Sequence, residues 1–485
     1  MPDLKPIMIV GTASDVGKSL VVTGICRWLL NKGYQPAPFK AQNMSLNSFA
    51  THDGLEIGRA QAVQAEACKI PCTTEMNPIL LKPSSHHTSQ IVLNGKPIGD
   101  QTAKAYFLGN DKEKLFEEAK KSFNKLSGQY QPIVMEGAGS ISELNLKHRD
   151  IVNMRMAQAA EACVYLVADI DKGGVFGSVY GTIELLEDWE KKLLKGIIIN
   201  KFRGDITLFQ KGRQMMEELT GYPVLGVLPY DSDVYLEQED SVALKEKNKK
   251  WEPGKLNIAV IQFHYLANYT DFNALEFVED INVYYSREPE QIRKADVIIL
   301  PGTKNTMADL QALKKDRLDV LIQELYGTKK IIGICGGYQM MGKMIYDPFH
   351  VENATATMEG IGLFDIETTL SKFKHTKQVA FRFKQFDDAC NGYEIHMGET
   401  VISGGTPLNT INERPEGYLD ENGSWGTYFH GIFDNACVIK DLMKRQSTRQ
   451  NIDYHQFKEE NFNKLAESID QNLDMQAILK DIGVS

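Results

Sequence analysis

One cysteine of this sequence lies in a setting typical of an enzymatic nucleophile. The segment KKIIGICGGYQMMG places Cys335 between an apolar run that predicts a strand and a glycine-led run that predicts a helix. Such a sharp turn exposes the sulfur beside a helix N-terminus, which favours the reactive thiolate. Most cysteines in apolar sequence are buried and inert. The turn, the glycine pair and Gln339 occur together here, and this combination favours a catalytic Cys335.

Two other segments supply the groups that a nucleophilic thiol requires, a base and donors for the developing oxyanion. His430, in GTYFHGIF, is the best candidate for the base. PGTKNT, residues 301–306, is a glycine loop whose N–H groups are suited to face the attacked carbonyl. A lone histidine among aromatic residues is more often part of a core, so the assignment of His430 depends on Cys335.

A second chemical signature lies near the N-terminus. GTASDVGKS follows a short apolar run and precedes a helix-like segment, the setting in which backbone N–H groups and a helix N-terminus bind phosphate. We expect Gly11, Thr12 and Gly17 to approach the phosphates of a nucleotide closely. Lys18 would neutralise the terminal phosphates, and Ser19 would bind Mg²⁺. Five residues rather than the usual four separate the two glycines.

A carboxylate is expected to share this metal site. Glu136 ends the apolar run PIVME, and parallel sheets place their ligand-binding residues at the carboxyl ends of the strands. Because Mg²⁺ prefers a hydroxyl, a carboxylate, water and phosphate oxygens, Ser19 and Glu136 form a natural pair.

Polar groups also follow three other apolar runs. FKAQNMSLNS contributes Lys40 and Asn43, ADIDKGG contributes Asp171, and NKFRGD contributes Arg203. Groups at strand ends orient polar ligands in open α/β sheets, which makes these residues substrate candidates. FKAQNMSLNS alone is weak evidence, ADIDKGG fits a plain turn equally well, and NKFRGD is also compatible with a charged turn.

The elements that position these groups are predicted by hydrophobic patterning. Apolar β-rich runs alternate with helix-like segments along two series, which predicts two α/β domains with parallel sheets. A polar stretch rich in Lys, Glu, Pro and Gly separates the two series. We predict domains at residues 1–230 and 256–440, a linker at 231–255 and a helical tail at 441–485.

The composition excludes several classes of protein. The 485 residues are 42% hydrophobic and 24% charged, and no apolar run approaches the roughly 18 residues of a membrane-spanning helix. Seven scattered cysteines without a CxxC pair argue against a disulfide framework and against zinc. A net charge of −10 argues against a nucleic-acid surface. We expect a cytoplasmic protein that binds neither membrane nor nucleic acid.

With these motifs in place, the chain closely resembles the cobyric acid synthase family over nearly its whole length. GTASDVGKS and MEGAGS resemble the dethiobiotin synthetase class of phosphate-loop folds. FKAQNMSLNS, EMNPILLKP, DIDKGGVFGS and INKFRGD separate this family from its relatives. GICGGYQMMG, GYEIHMG and GTYFHGIF resemble class I glutamine amidotransferases of the cobalamin type. The resemblance implies a phosphate-loop NTPase-like domain followed by a flavodoxin-like amidotransferase domain.

The resemblance also implies a reaction and its substrates. The family uses ATP, Mg²⁺ and L-glutamine to amidate the b, d, e and g carboxylates of adenosylcobyrinic acid a,c-diamide. Gln339 would then hold glutamine, and N–H groups near Gly302 and Gly336 would stabilise the oxyanion. Lys82 or Arg203 would assist Lys18 against substrate and phosphate charges. The sequence does not give the oligomeric state.

A departure from related enzymes concerns the catalytic triad, and two other functions compete. Many class I glutaminases have an acid two residues after the catalytic histidine, where this chain has Ile432. The third member of the triad is therefore unassigned, and a Cys–His pair has to suffice. The competing functions are cobyrinic acid a,c-diamide synthase and a regulatory ATPase with a non-catalytic glutaminase-like module. FKAQNMSLNS and NKFRGD argue against the first, and the intact Cys335 turn with His430 argues against the second.

Overall fold

The computed structural model describes residues 4–83, 88–102, 111–231, 234–237, 247, 250–352, 355–443 and 453–484. They form two compact units. The first unit comprises Met1–Met44, Ile57–Leu236 and Phe457–Ser485, and the second comprises Ser45–Glu56 and Glu237–Gln456.

The strands in chain order are β1 (Ile7–Gly11), β2 (Ala37–Phe39), β3 (Gln42–Met44), β4 (Ser48–Ala50), β5 (Glu56–Gly58), β6 (Ile79–Pro83), β7 (Thr88–Leu93), β8 (Lys96–Thr102), β9 (Ile133–Glu136), β10 (Cys163–Asp169), β11 (Leu194–Phe202), β12 (Val224–Pro229), β13 (Leu256–Ile261), β14 (Ile281–Ser286), β15 (Val297–Leu300), β16 (Lys330–Ile334), β17 (Met344–Tyr346), β18 (Thr357–Glu359), β19 (Ile366–Phe383), β20 (Ala389–Ile402), β21 (Asn409–Ile411), β22 (Arg414–Glu416), β23 (Tyr418–Leu419), β24 (Trp425–Thr427) and β25 (Phe429–His430).

The α-helices are α1 (Lys18–Asn31), α2 (Arg59–Ala67), α3 (Asp111–Ser127), α4 (Met154–Ala159), α5 (Val175–Glu184), α6 (Asp188–Leu193), α7 (Gln210–Thr220), α8 (Asn273–Glu276), α9 (Pro289–Lys294), α10 (Thr306–Lys315), α11 (Leu318–Leu325), α12 (Gly336–Met340), α13 (Ala436–Met443), α14 (Tyr454–Asn472) and α15 (Met475–Asp481). Within the described ranges, no helix is both long and apolar enough to cross a bilayer.

The first unit is built on a parallel sheet, as its apolar runs predict. Six strands lie in the order β12–β11–β10–β1–β9–β2, and every adjacent pair is parallel. β1 and β10 are buried at every position, the pattern of strands covered on both faces. β1 lies between β10 and β9, with Ile9 paired to Tyr165 and to Glu136. The carboxyl ends of these strands therefore bring Gly11, Glu136 and Asp169 to one edge of the sheet.

The C-terminal residues complete the core of this first unit. Ile469 and Ile478, from α14 and α15, are fully buried in the same apolar cluster as the residues of β1 and α1. Gly24 on α1 permits this close packing, because a Cβ there would lie 2.7 Å from Ile469 Cγ1. The buried Arg27 donates to Glu459 Oε1 at 2.7 Å. The end of the chain is therefore an integral part of the nucleotide-loop unit.

The second unit contains a further, mainly parallel sheet in the order β14–β13–β15–β16–β24–β23. All its adjacent pairs are parallel except β23–β24. A second sheet in this unit is built around the long antiparallel hairpin β19–β20, and β25 pairs with β20. The α/β fold class expected for both domains is confirmed.

The limits of the two compact units differ from the expected domain limits. Residues 45–56 lie inside the expected first domain but group with the second unit. Residues 457–485 of the expected tail group with the first unit. The expected linker, 231–255, is described only in part.

Candidate active sites

The structure places Cys335 at a strained turn between β16 and α12. Its backbone has φ 51° and ψ −109°, a conformation that costs a non-glycine residue of the order of 1–3 kcal/mol and that recurs at active sites. Its N–H donates to the Thr427 carbonyl at 2.8 Å, which ties the turn to β24. Gly337 permits the turn, because a Cβ there would lie 1.9 Å from the Leu300 oxygen. The Cys335 sulfur is 3.6 Å from the Ile395 oxygen.

His430 is held beside this cysteine by an acid from a distant part of the sequence. Its Nδ1 lies 2.7 Å from Asp271 Oδ2, and both side chains are almost completely buried. The Gly431 N–H donates to Asp271 Oδ1 at 2.9 Å, so both carboxylate oxygens are engaged. Burial opposes the protonated ring, but the charge and hydrogen bond of Asp271, together with Cys335, raise the pKa of His430 to about 10. Asp271 thus fixes the ring and favours imidazolium.

The loop at residues 301–306 lies against both groups. A Cβ on Gly302 would be 3.0 Å from His430 Cε1 and 3.9 Å from Cys335 Cβ. A Cβ on Gly336 would be 2.6 Å from Thr303 Cγ2. The backbone of Gly302 therefore lies close to both Cys335 and His430, and Gly336 packs against the same loop.

A fully buried acid fixes the conformation of this loop. Asp309 Oδ1 accepts from the His264 N–H at 2.9 Å, and its Oδ2 accepts from the Tyr265 N–H at 3.2 Å and from the Thr303 hydroxyl. Burial raises the pKa of Asp309, while these hydrogen bonds act in the opposite direction. Asp309 therefore anchors the loop from the side of α10.

Gln339 lies on α12, one helical turn after Cys335, in a buried polar network. Its Oε1 accepts from the Thr306 hydroxyl at 3.0 Å, and its Nε2 donates to the Tyr428 hydroxyl at 3.3 Å. Thr306 is also 3.2 Å from Glu352 Oε1, whose second oxygen accepts from the Met307 N–H. Burial raises the pKa of Glu352 to about 7. The side-chain amide that is expected to bind glutamine is thus held from both ends.

In the first unit, the predicted phosphate loop has the expected setting between β1 and α1. Lys18 Nζ donates to the carbonyls of Ala13 and Gly139, both at 3.0 Å, so the ammonium lies across the mouth of the loop. Thr12 N–H donates to the Val167 oxygen at 3.0 Å, which joins the start of the loop to β10. The first N–H groups of a helix have no acceptor within the helix, so α1 offers donors to an anion here.

Asn200 supports the loop from β11. Gly17 has φ 95°, and a Cβ at this position would lie 2.0 Å from Asn200 Nδ2. Asn200 Nδ2 also donates to the Val16 oxygen at 2.8 Å. Glycine at position 17 is therefore required both by the backbone conformation and by the contact with Asn200.

Glu136 is the centre of a buried cluster beside this loop. Its Oε1 accepts from Ser19 Oγ at 2.9 Å and from Lys40 Nζ at 2.8 Å, and its Oε2 accepts from Gln64 Nε2 at 2.6 Å. Burial opposes ionisation, but the Lys40 charge and the three hydrogen bonds hold the pKa of Glu136 below its ordinary value. The structure therefore brings together Ser19, Glu136 and Lys40, three of the residues singled out in the sequence.

The remaining substrate candidates occupy different places. Asn43 is buried and donates to Gln61 Oε1 at 3.2 Å, and Lys82 is a buried residue of β6. Arg203 Nε donates to Asp171 Oδ1 at 2.7 Å near the protein surface. Arg203 and Asp171 thus pair with each other, which agrees with the alternative that they belong to charged turns.

Sequence reasoning missed Asp271 and Gln64. Asp271 lies in the 3₁₀ turn Tyr269–Phe272, which follows β13 in the second unit. Its place beyond the carboxyl end of β13 was the one available signal, because ligand-binding residues of α/β sheets collect there. Gln64 lies inside α2 and carried no comparable signal.

Two known sequence families match successive parts of the chain. The CobQ/CobB/MinD/ParA nucleotide binding domain matches residues 7–242. The CobB/CobQ-like glutamine amidotransferase domain matches residues 257–438. The first match contains the loop at Lys18, and the second contains Cys335, Asp271 and His430.

Curated proteins called cobyric acid synthase are similar to the chain over nearly its whole length. The protein of Parabacteroides distasonis is 51% identical, over 99% of each chain. The protein of Bacteroides fragilis is 49% identical, over 98% of each chain. The protein of Caldanaerobacter subterraneus subsp. tengcongensis is 44% identical, over 97% of each chain.

Proposed function

The chain belongs to the cobyric acid synthase family, and we propose that its two sites carry out the two half-reactions of one amide synthesis. The protein is a glutamine-hydrolysing, ATP-using amide-forming ligase of cobalamin biosynthesis. In this proposal the Cys335 site releases ammonia from glutamine, and the site around Lys18 activates a carboxylate of the corrinoid substrate.

In the glutaminase half-reaction, the Cys335 thiolate attacks the side-chain carbonyl carbon of glutamine. His430, as imidazolium, donates its proton to the leaving nitrogen, and ammonia departs from a glutamyl thioester. The neutral ring then takes a proton from water, whose oxygen attacks the thioester and releases glutamate. The hydrogen bond to Asp271 supports this cycle, because it keeps Nε2 of the ring directed to the reacting groups and stabilises the imidazolium.

Backbone donors and Gln339 complete the glutamine site. N–H groups around Gly302 and Gly336 stabilise the oxyanion that forms when the carbonyl carbon becomes tetrahedral. Gln339 holds the glutamine substrate through the amide that Thr306 and Tyr428 orient. The convergence of both glycine segments beside Cys335 is the observation that supports these roles.

In the synthetase half-reaction, ATP transfers its terminal phosphoryl group to a substrate carboxylate. The resulting acyl phosphate reacts with ammonia, so a C–N bond forms and phosphate leaves. Lys18 and the first N–H groups of α1 neutralise and orient the phosphates. A free carboxylate is too poor an electrophile to react with ammonia without this activation.

The residues at this site fit a magnesium ion. Mg²⁺ takes one or two carboxylates together with hydroxyl, water and phosphate oxygens, and Ser19 Oγ lies 2.9 Å from Glu136 Oε1. We propose that Ser19 and Glu136 hold the ion, which would supply charge neutralisation of the transferred phosphoryl group. Lys40, which already contacts Glu136, would turn its ammonium to the phosphate or the substrate carboxylate.

The finer identity of the substrate is part of the proposal. We propose adenosylcobyrinic acid a,c-diamide, amidated at its b, d, e and g carboxylates, with Asn43 and Lys82 among the residues that meet the corrinoid. Incubation with ATP, Mg²⁺, glutamine and candidate corrinoid acids, followed by mass spectrometry, tests it. Four added amides on the diamide are expected. Amidation of cobyrinic acid at a and c alone would overturn the substrate assignment.

Cys335→Ser tests the division of labour. We expect the variant to lose glutamine-supported product formation and to keep amidation supported by ammonium salts. The Cys390→Ser variant, which changes another buried thiol of the same unit, is the matched control. Unchanged glutamine-supported amidation in Cys335→Ser would remove Cys335 from the mechanism.

A further inference from the structure

The motif GYEIHMG, residues 392–398, contains a histidine that the mechanism above does not use. His396 lies on β20, and its Nδ1 is 2.8 Å from the Gly398 carbonyl oxygen. A carbonyl oxygen only accepts hydrogen bonds, so Nδ1 carries the proton and this tautomer leaves Nε2 unprotonated. Burial lowers the pKa of His396 to about 3, which keeps the ring neutral throughout the working range of pH.

The ring of His396 also supports an aromatic residue of the glutamine site. It stacks on Tyr428 with ring centroids 3.8 Å apart and an interplanar angle of 20°. The Tyr428 hydroxyl accepts from Gln339 Nε2 and lies 2.6 Å from Thr400 Oγ1. His396 therefore fixes the plane of the ring whose hydroxyl binds the Gln339 amide.

Gly398, whose carbonyl His396 binds, lies against the same amide. A Cβ built on Gly398 would lie 2.1 Å from Gln339 Nε2 and 3.0 Å from the Tyr428 hydroxyl. The Gln339 amide thus packs directly on the Gly398 backbone. His396 holds Gly398 by a hydrogen bond and Tyr428 by stacking, and both of these residues lie against Gln339 Nε2.

We infer that His396 is a positioning residue of the glutamine pocket, which acts through Gly398 and Tyr428 to hold the Gln339 amide in its substrate-binding orientation. The inference rests on the proposed role of Gln339 in binding glutamine. It also explains why histidine and glycine lie two residues apart in this motif: the short spacing allows the side chain to bond the carbonyl of its own strand.

Four substitutions separate the two contacts of the ring. His396→Asn keeps an N–H donor close to the position of Nδ1, whereas His396→Gln places its amide near the position of Nε2. His396→Phe keeps the stacking surface and removes the donor. His375→Asn is the matched control, because His375 stacks on His396 but its side chain is half-exposed.

Steady-state glutaminase kinetics and ammonium-supported amidation are the measurements. His396→Phe and His396→Gln should raise KM for glutamine about five- to tenfold, the effect of one lost hydrogen bond, with kcat changed less than about twofold. His396→Asn keeps the donor but loses the ring that stacks on Tyr428, so its KM should rise less than that of His396→Gln, and His375→Asn should stay within about twofold of the wild type. Amidation supported by ammonium salts should be unchanged in all four, which excludes a general loss of folding.

Two results would overturn the inference. One is a wild-type KM in both His396→Phe and His396→Gln. The other is a normal KM in His396→Gln with a raised KM in His396→Asn, which would mean that Nε2 contacts the substrate directly. A wild-type protein without glutaminase turnover would instead overturn the proposed function, and the inference with it.

Discussion

The contact between His430 and Asp271 makes the sharpest prediction. Asp271→Asn keeps the size and most of the hydrogen-bonding capacity of the side chain but removes the charge 2.7 Å from the imidazole. Breaking a buried ion pair costs about 3–5 kcal/mol. If that loss appears in the transition state, glutaminase kcat falls by a factor between about 10² and 10⁴. Ammonium-supported amidation should not change, because it bypasses His430.

The dependence on pH follows from the raised pKa of His430. With Asp271 present, His430 stays protonated until the pH approaches about 10, far above its ordinary value of 6.5. Without the carboxylate its pKa falls, so the alkaline limb of the glutaminase profile should move to lower pH. The pair stabilises the folded state fully below pH 6.5, and this stabilisation is lost as the pH rises through about 10. The melting temperatures of Asp271→Asn and the wild type should therefore differ most at pH 6 and converge near pH 10.

Asp316→Asn is the control for this experiment. Asp316 is an exposed acid of the same unit that pairs with Arg287 at 2.5 Å, so its loss should leave turnover within about twofold, as expected for a surface ion pair. Glutamate release from glutamine, measured across the pH range, decides the question. An Asp271→Asn enzyme that keeps its rate within fivefold of the wild type and the same alkaline limb would refute the role assigned to Asp271.

Three further predictions address other parts of the molecule. Glu136→Gln removes the carboxylate that contacts Ser19 and Lys40 in the first unit. It should abolish ATP-dependent amidation, while the glutaminase turnover of the second unit persists. Product formation at the wild-type rate would contradict this prediction. Glu352 has a pKa of about 7, so it loses its proton as the pH rises. The Thr306 hydroxyl carries a single proton, and the ionised Glu352 then competes with Gln339 to accept it. KM for glutamine should therefore rise between pH 6 and 8 in the wild type and stay level in Glu352→Gln, and a level wild-type KM would count against this network. Ile469→Ala should destabilise the first unit by about 2–5 kcal/mol, as for other buried large-to-small changes, whereas the exposed Glu467→Ala should have little effect in the same thermal-unfolding assay.

The sequence could predict most of the fold because its strands are buried on both faces. Such strands are continuous runs of Ile, Val and Leu, and their carboxyl ends mark the ligand edge without reference to the rest of the structure. Ser19 and Glu136 could be paired for this reason, although 117 positions separate them. Cys335 could be identified because the turn that exposes it is encoded by adjacent residues.

Other features depend on contacts that no local pattern encodes. The C-terminal helices were expected to form a separate tail, yet residues from 457 onward complete the core around α1. The apolar faces of these helices predict that the helices are buried, but they do not predict which part of the protein covers them. Gln64 gave no signal in the sequence either, because a glutamine inside a helix is common. Only the structure shows that its Nε2 lies 2.6 Å from Glu136 Oε2.

Asp271 shows why the absence of an acid two residues after His430 did not mean its absence from the site. Position 432 follows the turn at Gly431 and is fully buried among apolar residues, where an unpaired carboxylate would be costly. The 3₁₀ turn at Tyr269–Phe272 supplies the carboxylate from the segment after β13, and the Gly431 N–H satisfies its second oxygen. What catalysis requires is an acceptor at Nδ1 of the ring, and any segment that reaches this atom can provide it. A search for the third residue of such a triad should therefore begin with the hydrogen-bond geometry of the histidine rather than with a fixed spacing in the sequence.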